Sequence, residues 1–468
     1  MKKTFIHTLI IYILLINYPC LPGQEVNTVS VNDNIKLVEE NLSTKITDST
    51  KWTLKSRLQY YNIHGLSLAV VHDYQIEWAK SYGYANTNDD QLVTTETLFQ
   101  AGSVSKSLNA MGLLKLVQNG TIDLYSDINK LLKSWQFPYD SLSKEKKITL
   151  ANLLSHTAGL SVHGFLGYNI NDTIPTLIQI LNGTPPANSP PVRSLFEPSL
   201  KYQYSGGGTV ISQLICVDNV NSKYDVFMHD SILNPIGMTN SFFTQPPPEE
   251  KKSLLATGYS ENTETDGRYH IYPEQSAAGL WTNPTDLCKY IIEQQNSFKN
   301  LSNKALNQYY TKLMMTPYID VSSAFGVFIA SFGDIKYFYH TGADEGFTSM
   351  YIGSLDGGNG FAVMFNSNKA GILTEILNSV ANVYHWPGFT KTSDIADADE
   401  KSLDISPNPA TDFIHINTPI ESANIEIYNQ LGELIIQNKG VNLIDIRGLT
   451  PGLYLLKNES KFEKFIKF

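Results

Sequence analysis

An apolar stretch with a lysine on its buried face constrains the fold of this chain most. The segment "FQAGSVSKSLNAMGLLKLVQNG" begins at Phe99, and apolar residues recur in it at steps of three and four, as in a buried helix. Counted from Ser103, that face contains Lys106. A lysine among apolar residues loses solvation, so it must find a negative partner or give up its proton. The pattern predicts a buried helix whose lysine can act as a base for the neighbouring serine hydroxyl.

The Ser-x-x-Lys spacing is not specific by itself. It recurs at Ser141/Lys144 and at Ser143/Lys146, inside the charged segment "DSLSKEKK". Those copies are interpreted as a solvated loop, where no burial shifts a pKa. The apolar context distinguishes the copy at Ser103 from them.

Composition and the amino terminus narrow the class of protein. The chain has 468 residues, of which 42% are hydrophobic and 17% charged, a balance typical of folded globular proteins. The net charge of −10, with no basic patch, argues against a nucleic-acid partner. Lys2 and Lys3 precede a short apolar core, so residues 1–23 are predicted to be a secretory signal peptide. No other segment approaches membrane-spanning length, so we expect no transmembrane segment in the mature chain.

Two cysteines follow the signal peptide. Cys216 and Cys288 lie in apolar periodic stretches, which favours buried thiols over a disulfide between them. Neither has the cationic or turn-like setting that activates a thiolate. No clustered metal-ligand spacing such as His-Glu-x-x-His occurs, so we predict an enzyme with no metal and no organic cofactor.

Strand patterns at both ends of the main part of the chain, with helices between them, predict an α/β (α+β) domain over residues 50–388. A helix is predicted over residues 50–61, followed by the strands "LSLAVVH" and "QIEWAKSYGY" with a turn at Asp73-Tyr74. Asn283 and Pro284 predict the N-cap and first turn of a later helix. The strands "DIKYFYHT", "TSMYIGS" and "GFAVMFNSN" are expected to complete the sheet.

The composition changes near the carboxyl end. Residues 389–402 are polar and lack periodicity, which predicts a linker. Short alternating strands separated by Gly, Pro and Asn follow, so residues 403–468 are predicted to form a small all-β sandwich. Residues 24–49 are interpreted as an N-terminal leader.

Several motifs occur in a fixed order along the main domain: "TTETLFQAGSVSKSLNA", "LLSHTAGL", "YQYSGGGTV", "ILNPIGM", "AAGLWTNPTDL" and "FYHTGADEGF". Together they resemble the serine hydrolases related to class C β-lactamases and penicillin-binding proteins. The resemblance implies a β-lactamase/transpeptidase-like fold, in which an antiparallel sheet is flanked by helices and joined to a helical subdomain.

The resemblance also implies roles for individual residues. Ser103 would be the acylated nucleophile, Lys106 its proton acceptor, and Tyr204 the shuttle of protons between nucleophile and leaving group. The main-chain N–H groups of Ser103 and Ala343 would form the oxyanion hole. A serine hydroxyl is a poor nucleophile until a base removes its proton, and we expect burial to prepare Lys106 for that task. Preorganised N–H donors then stabilise the oxyanion.

The substrate-binding residues are also implied by the resemblance. His340, Thr341 and Gly342 match the third family motif, a strand along the edge of the site. Ser205 and Gly206 follow the tyrosine and are expected to face the substrate. His156, in "LLSHTAGL", is interpreted as a hydrogen-bonded structural histidine rather than a base.

The chain departs from the family pattern at two positions. Gly206 stands where many members have asparagine, and His340 stands where β-lactamases usually have lysine. Both changes are found among family esterases, amidases and D-peptidases, so efficient degradation of antibiotics is not expected. A histidine of ordinary pKa, about 6.5, is mostly neutral at pH 7.5. We therefore expect a carboxylate ligand to bind more tightly as the pH falls toward 5.5.

The final segment has its own resemblance. "ISPNPATDFIHI", "IEIYNQLGELI", "IDIRGLTPGLYLLK" and the basic end "KFEKFIKF" are similar to the C-terminal sorting domain of the type IX secretion system. The resemblance implies recognition by that secretion machinery, export through the periplasm, and a final place at the cell surface or outside the cell. Binding of substrate by the sandwich is the alternative.

The sequence therefore predicts a secreted serine hydrolase that acts through a Ser103 acyl-enzyme on an ester or amide, with a small-molecule or peptide substrate. One alternative is a true β-lactamase or D-Ala-D-Ala carboxypeptidase. Another is a catalytically silent domain that binds peptides or cell-wall fragments. The natural substrate, the acyl acceptor (water or an amine), the oligomeric state and the fate of the sorting domain stay open.

Overall fold

The computed structural model describes residues 30–468 except 47, 261–262, 333–334, 390–404, 408–409, 417–423, 429–433, 450–451, 459–460 and 468. The predicted signal peptide and all of the predicted linker except residue 389 lie outside the described residues. In the ranges given above, no helix combines the length and the apolar character needed to cross a membrane.

Helices are the main regular elements of the segment between the early and late strands. The α-helices are α1 Val31–Glu40, α2 Leu54–Tyr61, α3 Ser105–Gln118, α4 Ile128–Leu131, α5 Leu150–Leu154, α6 Leu177–Asn182, α7 Gly206–Asn219, α8 Tyr224–Met228, α9 Asn234–Ile236, α10 Gln275–Ala278, α11 Pro284–Phe298, α12 Gln308–Met314 and α13 Ile372–Val383. Shorter 3₁₀ turns lie at Gly102–Val104 and Glu249–Leu254, and a π-helical turn lies at His229–Leu233.

Early and late strands share one antiparallel sheet, as predicted. The strands of the main domain are β1 Gly65–His72, β2 Gln75–Asn86, β3 Gln91–Leu92, β4 Phe99–Gln100, β5 Tyr259–Ser260, β6 Thr263–Glu264, β7 Trp281–Thr282, β8 Phe328–Phe332, β9 Ile335–Asp344, β10 Phe347–Ser354 and β11 Gly360–Phe365. Seven of them form the central sheet, in the order β3-β2-β1-β11-β10-β9-β8. The pairing of β1 with β11 closes the sheet between the two ends of the domain.

The central sheet is covered on both faces, which explains why its inner strands β1, β10 and β11 are buried along almost their whole length. In β1, Leu66, Leu68 and Val70 point into a core shared with α1, α2 and α13. Ala69 and Val71 point to the opposite face, into the larger core that contains α3, α7 and α11. The alternation of side chains along one strand thus joins two cores.

Locally encoded elements match the sequence predictions. Asp73 and Tyr74 both have positive φ, as the tight turn between β1 and β2 requires. The Asn283 side chain accepts a hydrogen bond from the Asp286 N–H at 2.9 Å, and Pro284 opens α11. Helix α2 is shorter than predicted, because Thr53 caps it and Trp52 pairs with Leu42 in a β-bridge.

The helix that contains Lys106 is more deeply buried than an amphipathic pattern implies. Its residues from Ser105 to Leu114 are all buried, so α3 runs through the interior with no solvent-facing side over that length. It also begins later than predicted, because Ser103 lies in the 3₁₀ turn before it. A helix surrounded by packing on all sides fixes its side chains firmly.

The predicted leader of residues 24–49 contains an element that packs on the main domain. Helix α1 contributes Val38 to the core beside α13, and Leu42 follows it into the same cluster. The Ser379 hydroxyl donates to the Val38 carbonyl at 2.7 Å. Packing of the domain therefore begins before residue 50.

The carboxyl-terminal strands form two antiparallel sheets around a core of their own. The strands are β12 Ile405–Ser406, β13 Phe413–Ile416, β14 Asn424–Tyr428, β15 Leu434–Lys439, β16 Leu443–Asp445, β17 Gly452–Asn458 and β18 Lys461–Lys467. One sheet has the order β12-β13-β16 and the other β15-β14-β17-β18. Ile414, Ile427 and Phe465 are among the buried residues between them. This is the predicted small sandwich.

Both described cysteines are buried and free, as the apolar pattern predicted. Burial raises the pKa of the Cys216 and Cys288 thiols.

Candidate active site

A strained turn presents Ser103 at the amino end of α3. Ser103 is half-buried in the 3₁₀ turn Gly102–Val104. Gly102 has φ +51°, and a Cβ there would lie 2.6 Å from the Ala343 nitrogen. Only glycine fits such a conformation against so close a strand. The turn therefore depends on glycine to bring the Ser103 main chain beside β9.

Hydrogen bonds fasten this turn to the sheet. The Ser349 hydroxyl donates to the Ala101 carbonyl at 2.7 Å, and the Gly102 N–H donates to Asp344 Oδ2 at 3.2 Å. A Cβ on Gly342 would overlap the Ala101 carbonyl oxygen, so the two backbones are in contact here as well. These contacts hold the main chain of Ala343 next to the serine turn. An oxyanion hole made of the Ser103 and Ala343 N–H groups would require this proximity.

Lys106 lies behind Ser103, and two hydrogen bonds fix the position of its amino group. Its side chain is 4% exposed, and Nζ lies 3.0 Å from Ser103 Oγ and 2.7 Å from the carbonyl oxygen of Ala277. Nζ also lies 5.0 Å from the centre of the Tyr204 ring. Both hydrogen-bond acceptors are uncharged. The sequence prediction of a buried lysine in contact with the serine is confirmed, and the Ala277 carbonyl is the partner it did not identify.

Tyr204 is positioned by the start of α7. The next residue, Ser205, caps the helix: its hydroxyl accepts from the Gly208 N–H at 2.9 Å and donates to the Ser161 carbonyl at 2.7 Å. His163 Nδ1 donates to the Tyr204 carbonyl at 2.6 Å. The cap and this hydrogen bond fix the backbone that carries the tyrosine ring into the site.

His156 supports Tyr204 from behind, in agreement with its interpretation as a structural histidine. Its ring centre lies 4.2 Å from that of Tyr204, and its Nδ1 accepts from the Ser205 N–H at 3.2 Å. Burial, and secondly the charge of Lys106, holds the pKa of His156 well below its ordinary value. A neutral ring therefore supports the tyrosine.

His340 differs from the sequence expectation in its electrostatics. Its Nδ1 donates to the Thr341 carbonyl at 2.6 Å, and its Nε2 is buried with no hydrogen-bond partner among the described residues. Burial, with a smaller contribution from the charge of Lys106, lowers the pKa of His340 to about 3. The expectation of an ordinary pKa is therefore wrong, because the ring is packed inside the protein beside Phe328, at 5.2 Å between ring centres.

A neutral His340 changes the expected pH dependence of binding. On a Ser103→Ala background, which removes the chemistry, we expect His340 to contribute no tightening of a carboxylate ligand between pH 7.5 and pH 5.5. Titration calorimetry with a carboxylate ligand and its uncharged analogue measures this. Any tightening specific to the carboxylate should persist in the Ser103→Ala/His340→Gln double variant. If that second substitution abolishes the tightening, His340 titrates in this range and the assignment as a neutral group is wrong.

A cavity of about 750 Å³ brings most of the predicted residues together. Its lining includes Ser103, Tyr204, His340, Thr341, Gly342 and Ala343. Ser205 and Gly206 are not part of this lining, and the Ser205 hydroxyl is already used in the helix cap. A substrate contact through those two residues stays a prediction.

Sequence reasoning missed part of this environment. Asp344 anchors the serine turn, and burial raises the pKa of its carboxyl group well above the ordinary value, although the charge of Lys106 opposes the shift. Tyr202, Arg447 and Lys467 line the cavity, the last two from the carboxyl-terminal sandwich. The motif "AAGLW", which begins at Ala277, could have indicated that this residue lies at the site. No motif indicated that the sandwich would line the cavity.

Comparison with known proteins identifies both parts of the chain. The profile of the Beta-lactamase family matches residues 52–376, and that of the Secretion system C-terminal sorting domain matches residues 404–468. Among curated relatives, Unguisins hydrolase ungD' of Aspergillus campestris is 26% identical, over 77% of this chain and 66% of its own. A Beta-lactamase of Pseudomonas fluorescens is 26% identical, over 51% of this chain and 62% of its own. The chain thus spans slightly less than two thirds of each of these relatives.

Solved structures of the same fold are found at low identity. The octameric penicillin-binding protein homologue from Pyrococcus abyssi is 18% identical with a TM-score of 0.59, covering 88% of this chain and 98% of its own. A D-amino acid amidase from Ochrobactrum anthropi SV3 is 20% identical with a TM-score of 0.57, covering 75% of this chain and 98% of its own. These likenesses show the fold alone.

Proposed function

Because the chain belongs to the Beta-lactamase family, whose members are serine hydrolases, we propose that it hydrolyses esters or amides through an acyl-enzyme on Ser103. The observation that carries the proposal is the 3.0 Å contact between Lys106 Nζ and Ser103 Oγ at the wall of an open cavity. A base within hydrogen-bond reach of a serine hydroxyl is the arrangement that nucleophilic catalysis requires.

The first half of the reaction forms the acyl-enzyme. Lys106, as the neutral amine, accepts the hydroxyl proton while Ser103 Oγ bonds to the substrate carbonyl carbon. The main-chain N–H groups of Ser103 and Ala343 stabilise the oxyanion. The bond to the leaving group then breaks, and the Tyr204 hydroxyl delivers its proton to that group. Lys106 passes the proton taken from Ser103 to the Tyr204 oxygen. In the second half, water attacks the acyl carbon, and the same groups return its proton to Ser103.

The neutral His340 supports uncharged substrates. With Nδ1–H donating to the Thr341 carbonyl, the buried Nε2 of the neutral ring carries no proton. His340 therefore provides no cation for a substrate carboxylate. The D-amino acid amidase among the structures of this fold makes amides reasonable substrates to test.

Two alternatives follow from other observations. The Pseudomonas relative is named a Beta-lactamase, which supports antibiotic hydrolysis or a D-Ala-D-Ala carboxypeptidase as the second candidate. A catalytically silent domain is the third. A panel of p-nitrophenyl esters, D-amino acid amides, a D-Ala-D-Ala peptide and nitrocefin separates them. Turnover of esters or amides above that of nitrocefin supports the proposal, and no turnover of any substrate with no fluorophosphonate labelling contradicts it.

The sorting domain supports export to the cell surface or beyond through the type IX machinery, after passage through the periplasm. Removal of residues 403–468 is expected to leave ester turnover in the purified protein and to retain the chain behind the outer membrane of its native host. Fractionation of cells that express either form measures this. Normal export of the shortened chain would show that the domain has no sorting role.

A further inference from the structure

The outer wall of the active-site cavity is built by the carboxyl-terminal sandwich. Ser103, Tyr204 and His340 form part of the inner wall. Pro407, Thr411, Asp412, Arg447, Leu449 and Lys467 line the same cavity from the sandwich. Residues more than 300 positions apart in the sequence, such as Ser103 and Lys467, thus line the same cavity.

Contacts between the two parts hold the sandwich in this position. Strand β17 contacts β8, which is the edge strand of the central sheet, so the sandwich covers an edge that is otherwise open to pairing. The Tyr339 hydroxyl donates to the Lys467 carbonyl at 3.3 Å. Lys467 is only 7% exposed, and burial lowers the pKa of its ammonium group. The Lys467 side chain is thus withdrawn from water at the wall of the cavity.

The sandwich does not depend on this contact for its own packing. Its buried cluster runs from Ile405 to Phe465 and, among the residues that the structure describes, includes none from the main domain. The main domain likewise packs around its own two clusters. Separation of the two parts therefore leaves each hydrophobic core intact.

The size of the cavity decides what can enter while the sandwich is docked. Pockets of about 300–1,000 Å³ hold ligands of drug size. The cavity here, about 750 Å³, falls in that range, so it accommodates a small acyl donor. A donor joined to a polymer or a protein exceeds this volume, so the body that carries it must remain outside the cavity, next to the sandwich.

We propose that the carboxyl-terminal sandwich, while attached, is a substrate-size filter: it admits small acyl donors to Ser103 and excludes donors carried on large bodies. This inference rests on the proposed function. Small donors react in the docked state, and large donors react only in molecules whose sandwich has moved away or been removed. The rate for a large donor is then proportional to the undocked fraction.

The test uses the full chain with a site-specific protease sequence inserted within residues 390–404. The folded protein is cut, and the catalytic fragment is separated from the sandwich by gel filtration. Intact and separated forms are compared with p-nitrophenyl acetate, a small fluorophosphonate, and a fluorophosphonate joined by a short spacer to a globular carrier protein. We expect cutting to change the two small-reagent rates little and to raise carrier-probe labelling by about tenfold or more, which corresponds to an undocked fraction of roughly one tenth or less before cutting.

A substitution in the uncut chain provides an independent measurement. Gly448 lines the cavity, and a Cβ there would meet no atom within 4 Å, so a side chain can start at this position and Gly448→Trp adds bulk to the wall. We expect it to slow turnover of the small ester several-fold in the intact chain and not after cutting. Leu443→Trp, at a residue of the sandwich that is 57% exposed and outside the cavity lining, is the matched control and should change neither rate.

The outcomes separate the two proposals. Equal carrier-probe labelling of intact and separated forms, with normal small-ester turnover, overturns the size filter and leaves the proposed function standing. Should the sandwich stay bound after cutting, Gly448→Trp decides: small-ester rates equal to those of the parent overturn the filter. Absence of both turnover and labelling in every form overturns the proposed function instead.

Discussion

Ser103→Ala is expected to reduce ester turnover by about 10⁴-fold or more, because no acyl-enzyme can form without the hydroxyl. The same change should alter the free energy of unfolding by less than about 0.5 kcal/mol, since a half-buried hydroxyl is lost without creating a cavity. Initial rates with p-nitrophenyl acetate and urea unfolding curves measure the two effects. More than a trace of remaining turnover would show that another residue is the nucleophile.

Ser107→Ala is the matched control on the same helix. The Ser107 hydroxyl donates to the Gly326 carbonyl at 2.7 Å and accepts from the Tyr351 hydroxyl at 2.7 Å, entirely within the core. Its removal takes one hydrogen bond from each of these partners inside the core, which costs about 1–3 kcal/mol of stability. We expect Ser107→Ala to be less stable but to retain the chemistry, the reverse of Ser103→Ala. Equal losses of turnover in both variants would mean that the effect of Ser103→Ala is structural.

Lys106→Met is expected to lower turnover by about 10²–10⁴-fold, the usual contribution of a general base. Stability should be unchanged or slightly higher, because methionine fills a similar volume and a buried polar amino group is removed. The acceptors of Nζ, Ser103 Oγ and the Ala277 carbonyl, are uncharged, so no carboxylate among them is left unpaired. Rates and unfolding free energies at one pH check both expectations. Clear destabilisation would indicate a structural ion pair and contradict the assignment of Lys106 as the base.

Lys115→Met is the control for removal of a lysine from α3. Lys115 is half-buried farther along the same helix, where its Nζ donates to the Ala305 carbonyl at 2.6 Å. It does not line the cavity, so its substitution should leave turnover unchanged. If Lys115→Met lowers turnover as much as Lys106→Met, the loss reflects disturbance of the helix.

Features that short sequence segments encode were predicted correctly. The hairpin turn at Asp73-Tyr74 and the Asn283-Pro284 start of α11 depend on backbone preferences within a few residues. The contact between Ser103 and Lys106 also follows from helical spacing, since residues three apart lie on one face.

Features that depend on distant parts of the chain were not predictable. The low pKa of His340 results from burial by other elements, so the assumption of an ordinary pKa failed. The Ala277 carbonyl is a main-chain group, and its approach to Lys106 is a property of the fold. The docking of the sandwich beside Tyr339 joins surfaces whose sequences carry no shared pattern.

Peptide mapping by mass spectrometry tests directly whether Ser103 is the nucleophile. The protein is treated with a small fluorophosphonate, its intact mass is measured, and the digested chain is searched for the modified residue. We expect one phosphonyl group per chain, located on Ser103 and absent from the Ser103→Ala variant. A group located on another serine, or labelling of Ser103→Ala at the parent rate, would contradict it.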